Sequence, residues 1–384
     1  NPNWMDQNHL CYHYTTGQRR HQNNPRPRTH QEKILVDAPG QFNALLCRPA
    51  PVLALAPMQD VTDLPFLRLM ARYGGADLYV TEYFRVHAES RLEKPILRSI
   101  TQNPTGRPLM AQMIGNDIPA LIRTARELLR HPVAAIDLNL GCPAPIVYRK
   151  CAGGGLLREP ARINAILGAL RDAIDIPFTV KTRIGFDDPA VFEELLPIFA
   201  RHRINLLTVH GRTVAEGYRS AVHYDFIRRA AECLPCPVLA NGNVYSAAKA
   251  ASVLNETRTA GLMIGRAAIR NPWLFQQIRQ HLAGEPPALP TGHDVLRYIR
   301  ELYEATRQPA FRETSHVARM KKYMNYIGIG IEPTGSFLHH IRRAHTEAEF
   351  FAHCEEHLDH NRPMPLEPFE LDLKASDVLA GQHR

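Results

Sequence analysis

Short apolar runs recur between Val52 and Ala267, each ending in polar residues or glycine. They are Val52–Met58, Leu78–Tyr83, Leu109–Gly115, Ala135–Gly141, Phe178–Gly185, Leu206–Arg212, Val238–Val244 and Gly261–Ala267. Near-continuous apolar strands mark a parallel sheet buried on both faces. Most of the gaps between runs carry helical periodicity. In Asp117–Arg130, for example, Ile118, Leu121, Ile122, Ala125, Leu128 and Leu129 share one face, and Pro160–Ile174 and Ala190–Phe199 read similarly. Eight strand–helix units predict an α/β chain, a (β/α)8 TIM barrel. A doubly wound sheet is the alternative, but it calls for a GxGxxG turn after the first strand, and Ala56-Pro57-Met58 stands there.

The pattern changes at both ends. Residues 1–46 are polar, basic and without period, which predicts a disordered tail whose Arg19, Arg20, Arg26 and Arg28 are candidates for touching RNA. The barrel is expected over 47–284. Gly284–Thr291 is a Pro-rich linker, after which His293–Arg307, Thr314–Ile327 and Phe337–Leu358 read as helices. They predict a small all-α helical domain over 291–360, followed by a loose tail over 361–384.

Composition narrows the function classes. Hydrophobic residues make up 45% and charged residues 22%, so a fully disordered chain, a collagen and a coiled-coil rod are excluded. No run of about 18 apolar residues predicts a membrane span, and the polar, His-rich start reads as no secretory signal. Seven scattered cysteines read as free thiols in a reducing cytoplasm, so the expected location is cytoplasmic. A net charge of +8 favours anionic partners, nucleic acid first among them.

In a barrel the chemistry sits at the C-terminal ends of the strands. Polar residues cluster there on six runs: Gln112; Asn139 and Cys142; Lys181 and Arg183; His210, Gly211 and Arg212; Asn241, Gly242 and Asn243; Gly265 and Arg266. Glycines at the last two runs permit close backbone approach to an anion, and Arg266 adds a permanent positive charge suited to phosphate. Lys181 and His210 stand on neighbouring runs, where a cation among apolar walls needs an anionic or carbonyl partner, such as a flavin or pyrimidine edge. Cys142 has no protease-like company, and an ordinary thiol is mostly protonated at pH 7, so it suits a general acid. Cys233-Leu234-Pro235-Cys236 is a lone CxxC without a second ligand pair, so no metal is expected. Gly153-Gly154-Gly155 reads as a mobile, closely packed lid.

Taken in order, several segments resemble the tRNA-dihydrouridine synthase family. They are Ala56-Pro57-Met58 with Val61-Thr62-Asp63, Asn139-Leu140-Gly141-Cys142-Pro143, Val180-Lys181-Thr182-Arg183, Val209-His210-Gly211-Arg212-Thr213, Asn241-Gly242-Asn243 and Ile264-Gly265-Arg266. Thr81–Val86 looks most like the bacterial C-type branch, linked to uridine 16 of the D-loop. The resemblance implies reduction of a tRNA uridine to dihydrouridine with FMN as cofactor and NADPH as reductant. It implies that Pro57, Met58 and Gln59 by backbone, with Gln112 and Lys181, hold the isoalloxazine, and that His210 lies beside it. Asn241, Gly242, Asn243, Gly265 and Arg266 would hold the phosphate. Cys142 would donate the proton, Asn139 and Arg183 would meet the substrate, and Tyr218 would touch RNA. Three positions depart from the family: Pro145 replaces a common basic residue, Asn243 stands where an acidic one is common, and Cys151 is unusual beside the glycines.

The partner expected is tRNA at its D-loop and elbow, with the chain acting as a monomer. Nine Lys/Arg against five Asp/Glu between Thr291 and Thr346 make the helical domain the grip. Arg312, His316, Arg319 and Lys322 can share a helical face, and Tyr323 and Tyr326 are candidates for stacking. Two rival readings are an FMN barrel of the dihydroorotate or ene type acting on a free small molecule, and an inactive RNA-binding scaffold. Intact Cys142, Lys181 and Arg266 speak against the second.

Overall fold

The computed structural model describes residues 38–308 and 311–369. Among the described residues, nine strands form one sheet: β1 (Val52–Leu55), β2 (Tyr79–Val80), β3 (Phe84–Arg85), β4 (Leu109–Ile114), β5 (Ala135–Leu140), β6 (Phe178–Arg183), β7 (Leu206–His210), β8 (Val238–Asn241) and β9 (Gly261–Ile264). Their order is β1-β9-β8-β7-β6-β5-β4-β2, with β3 beside β4. A parallel bridge between Ala54 and Leu78 brings the two ends of that path together, giving a nearly closed barrel of eight parallel strands. The TIM-barrel expectation therefore holds. β4 and β5 are buried at every position, as a sheet covered on both faces requires.

The expected second strand differs. Tyr79 pairs with Leu109 and Val80 with Met110, but Phe84 pairs with Met113. Four steps along one chain oppose three along β4, the extra residue of a bulge. The bulge turns Thr81 onto β4, where its hydroxyl accepts from the Gln112 N–H at 3.1 Å. The other strands are shorter at their C-terminal ends than the apolar runs, because the chain leaves the sheet where the polar residues begin. Gly261–Ala267, for instance, ends as a strand at Ile264 and starts a short helix at Arg266.

The described chain divides into two compact units that cut across the linear boundaries 47–284 and 291–360. One comprises the chain up to Ala54, Asp77–Gly242 and Glu256–Met263; the other Leu55–Ala76, Asn243–Asn255 and the chain from Ile264. The first holds nearly all of the sheet. The second is helical, with helices at Leu64–Arg72, Gly292–Thr306, Glu313–Ile327, Ser336–Arg343 and Glu347–Leu358 among its elements. The expected helix 337–358 is broken at His345, because Thr346 and Glu349 form a capping box that starts a new one. Buried tyrosines tie this unit together: Tyr323 donates to the Val61 carbonyl at 3.1 Å and Tyr298 to the Ile269 carbonyl at 2.9 Å.

Three expectations about the ends and cysteines need correction. Ala38–Leu46 is a helix with Phe42 fully buried, so it is not part of a disordered tail. Arg19, Arg20, Arg26 and Arg28 lie outside the described residues. The C-terminal stretch is pinned as far as Phe369: Met364 donates to the Pro290 carbonyl at 2.8 Å, and Glu367 accepts from Ser246 Oγ at 2.9 Å. Cys47 is disulfide-bonded, so the thiols are not all free; Cys142, Cys151, Cys233, Cys236 and Cys354 are. No described helix is long and apolar enough to cross a membrane.

Candidate active site

In the first unit, parallel register sets the polar residues side by side. Gln112 on β4 lies opposite Asp137 on β5, Asp137 opposite Thr179 on β6, and Asn139 opposite Lys181. Side chains two residues apart share a face of a strand, so Asp137 and Asn139 point the same way, as do Thr179, Lys181 and Arg183. The result is a connected chain of hydrogen bonds. Thr179 Oγ1 donates to Asp137 at 2.5 Å, and Gln112 Nε2 donates to the same carboxylate at 2.7 Å. Gln112 Oε1 accepts from Asn139 Nδ2 at 2.9 Å. Asn139 Oδ1 then accepts from the backbone N–H groups of Gly141 and Cys142, at 3.0 and 2.9 Å.

Cys142 thus sits on a loop whose first turn is shaped by the Asn139 side chain. Burial pushes its thiol above the ordinary range, against the opposing hydrogen bonds from the Ala144 backbone and the Tyr83 side chain. The thiol is therefore protonated at neutral pH, the state a proton donor needs. Lys181 Nζ reaches Asn241 Oδ1 at 3.3 Å, and Asn241 Nδ2 donates to the Met263 carbonyl at 2.7 Å. Burial, then the nearby Arg183 charge, lowers the ammonium to about 8. A desolvated cation with one long hydrogen bond is a receptor for a carbonyl or an anion.

Arg183 does not face open space. Its guanidinium donates to the carbonyls of Gly141 at 3.0 Å, Thr213 at 2.7 Å and Gly217 at 2.9 Å. It ties the Cys142 loop to the loop bearing Tyr218, and its charge lies 5.3 Å from the Tyr218 ring centre. Tyr218 is 53% exposed and stands 6.0 Å, ring centre to ring centre, from buried His210. The far side of its loop is braced by Glu216, which accepts from the Thr213 N–H at 2.6 Å and pairs with His223 at 2.8 Å. Gly242 has φ +132°, and a Cβ there would lie 3.0 Å from Val222, so the backbone after β8 admits no larger residue.

The second unit carries the other expected residues. The Met58 N–H donates to Thr62 Oγ1 at 2.8 Å, which shapes the turn through Pro57, Met58 and Gln59. A Cβ at Gly265 would lie 3.3 Å from Met58 Sδ, and Arg266 follows at the start of a helical turn. Asn243 holds φ +48°, a conformation asparagine tolerates. The expected basic face of Glu313–Ile327 is corrected. Arg319 is bound by the Asp63 carboxylate, and His316 is buried against Tyr303, 4.1 Å between ring centres. Only Arg312 and Lys322 of that group are exposed, and Tyr323 packs inside.

The lid expectation is corrected. Gly153–Arg158 is a 3-10 helix whose three glycines are buried, so it is a packed support and not a lid. A Cβ at Gly154 would lie 2.8 Å from the Cys142 carbonyl. Among the described residues no group of metal-ligating side chains is present, and burial pushes the Cys236 thiol up to about 12. The sequence reading missed Asp137 and Thr179. The local signal for Asp137, a carboxylate inside an apolar strand two residues before Asn139, does not by itself say what the carboxylate binds.

Each unit, taken by itself, holds residues that suit part of a flavin mononucleotide. In the first, the desolvated Lys181 ammonium suits the carbonyl edge of a flavin ring and the side-chain-free backbone at Gly242 suits phosphate. In the second, the Gly265 backbone and the Arg266 cation suit phosphate.

Residues 54–361 match the family model described as dihydrouridine synthase (Dus). A tRNA-dihydrouridine(16) synthase of Neisseria meningitidis (strain Z2491) is 32% identical over 75% of this chain and 89% of its own. A tRNA-dihydrouridine synthase B of Vibrio parahaemolyticus is 37% identical over 66% of this chain and 80% of its own. Among solved structures, a 2-naphthoyl-CoA reductase complex aligns with TM-score 0.50 at 13% identity, covering 80% of this chain and 67% of that one, a likeness of fold alone. With the family model spanning the barrel and most of the helical region, and the Asn139–Cys142 loop in place, this chain belongs to the dihydrouridine synthase family.

Proposed function

We propose that the protein reduces a D-loop uridine of tRNA to dihydrouridine, taking electrons from NADPH through FMN. The observation that carries the reading is the Cys142 thiol, kept protonated by burial on a loop held by Asn139 and Arg183. Lys181 and His210, and in the other unit the Pro57–Gln59 backbone, would each suit the flavin ring, while buried Gln112, bonded to Asp137 and Asn139, would support it from behind. Asn241, Gly242, Asn243, Gly265 and Arg266 would hold its phosphate. A bound reduced flavin would supply a hydride for C6 of the uracil. Cys142 would give its proton to C5, so that one hydride and one proton saturate the 5,6 bond and leave the thiolate. Lys181, as an ammonium, offsets negative charge on the ring carbonyls. The remaining Nδ2 hydrogen of Asn139 is available to a uracil carbonyl, and exposed Tyr218 offers an aromatic face to the RNA. A base in a loop leaves its stack at a cost of a few kcal/mol, less than one in a duplex.

Arg312 and Lys322 remain the phosphate contacts proposed on the helical unit; Arg319, held by Asp63, is not among them. The reading is tested on the purified holoprotein. It should be yellow with FMN, and Arg266→Ala should weaken FMN retention. Cys142→Ala should bleach with NADPH as the wild type does, while reoxidation by tRNA slows about 10²–10⁴-fold. Reoxidation of Cys142→Ala at the wild-type rate, or a colourless protein indifferent to added FMN, overturns the reading. Rapid reoxidation by a free pyrimidine but not by tRNA would favour the small-molecule barrel.

A further inference from the structure

We propose that Asp137 is a positioning residue, which sets the direction of the hydrogen-bond chain through Gln112 and Asn139 and so fixes the backbone turn that carries Cys142. The proposal deepens the reading above, since it takes Cys142 as the proton donor. Amide side chains are ambiguous: each can present its oxygen or its NH2 to a neighbour. A carboxylate is not, because when ionised it only accepts. Both contacts on Asp137 are donors, Thr179 Oγ1 at 2.5 Å and Gln112 Nε2 at 2.7 Å. With its NH2 committed, Gln112 must turn Oε1 towards Asn139, where it meets Nδ2 at 2.9 Å. Asn139 in turn must present Oδ1 to the N–H groups of Gly141 and Cys142, at 3.0 and 2.9 Å. A reversed chain would set the Asn139 NH2 against two backbone donors.

The far side of the same turn is already held. Arg183 Nε donates to the Gly141 carbonyl at 3.0 Å, so the peptide leading into Cys142 is gripped on both sides. Asp137, Gln112 and Asn139 are 2%, 0% and 7% exposed, so water does not compete for these bonds. Burial of a carboxylate is costly and is compensated here by donors alone. A site that needed only packing would be filled by an apolar side chain, as neighbouring Ile136 and Leu138 fill theirs.

Two substitutions separate positioning from packing. Asp137→Asn can still accept from Gln112, with its NH2 turned to Thr179 Oγ1, a hydroxyl that accepts as well as donates; Asp137→Val removes the acceptor. Cys142 is read directly by the rate of iodoacetamide alkylation in the holoprotein, followed peptide by peptide, with exposed Cys151 as internal reference. Asp137→Val should alkylate at Cys142 at least 5-fold faster than wild type, and Asp137→Asn within 2-fold, with Cys151 unchanged in both. Reoxidation of NADPH-reduced flavin by tRNA should fall about 10-fold or more at saturating tRNA in Asp137→Val, with the half-saturating tRNA concentration little changed. If Asp137→Val does not yield folded protein, Asp137→Ala removes the same acceptor without adding bulk and should give the same alkylation result. Equal Cys142 alkylation in wild type and Asp137→Val, or equal acceleration in Asp137→Val and Asp137→Asn, overturns the proposal. Failure of the wild type to reoxidise on tRNA would instead sink the functional reading and leave the alkylation result standing.

Discussion

At the scale of single residues, the inner wall of the barrel trades stability for order. Burial raises the Asp137 carboxyl to about 6, against the hydrogen bonds of Thr179 and Gln112. In the unfolded chain it titrates near ~3.9. Between those values the folded protein holds the proton more tightly, so stability falls as pH rises from about 4 to about 6 and stays lower at neutral pH. A shift of that size corresponds to something on the order of 2–3 kcal/mol. Asp137→Asn has no charge to bury. It should therefore exceed wild type in urea stability at pH 7–8, and the gap should close towards pH 4. A gap that is the same at pH 4.5 and pH 7.5 would show that burying the ionised carboxyl carries no such penalty. Cys142 was legible in the sequence from its place in Asn139–Pro143. Asp137 was not, because a carboxylate in an apolar strand gains meaning only from what its neighbours in space donate.

At the scale of elements, close packing under the Cys142 loop does what the sequence reading assigned to a lid. Gly153–Arg158 is wound as a 3-10 helix, and the Gly154 N–H donates to the Cys142 carbonyl at 3.2 Å. A Cβ on Gly154 would stand 2.5 Å from Val214 Cγ2 and 2.8 Å from that carbonyl. Gly154→Ala must then displace either the Tyr218-bearing loop or the cysteine turn. We expect about 1–3 kcal/mol of destabilisation from overpacking and a clear loss of tRNA-dependent flavin reoxidation. Wild-type melting temperature and turnover in Gly154→Ala would show that the segment yields freely. The repeated strand–helix unit was readable because its hydrophobic period is local. The bulge at Thr81–Tyr83 was not, since it depends on a register with β4 that no local pattern encodes.

At the scale of the whole molecule, charge proved less informative than partnering. The helical segment has more cations than anions, yet Arg297, Arg300 and Arg307 are committed to Asp294, Glu355 and Glu347. Arg319 is committed to Asp63, which also caps the helix Leu64–Arg72. Arg312→Glu with Lys322→Glu should weaken tRNA binding several-fold and lower the log–log salt slope by about 0.7–0.9 for each phosphate no longer neutralised. FMN content should not change. Arg319→Glu should instead lower the melting temperature, because two carboxylates would then face each other in a half-buried place. Equal tRNA affinity and salt slope in the double variant would remove the helical unit from the RNA interface.

The amino-acid sequence by itself determined the barrel, its strand count around the ring, the helical remainder and the cluster of polar strand ends, because each rests on local periodicity or on short motifs. Tertiary structure alone decided which of those polar residues face outward and which bind one another. Arg183 became a brace between loops, Arg319 an internal ion pair, and Asp137 the start of a hydrogen-bond chain. The physical reason is common to all three. A buried charge or amide must find its partner across the fold, and partners far apart in sequence leave no trace in the pattern along the chain.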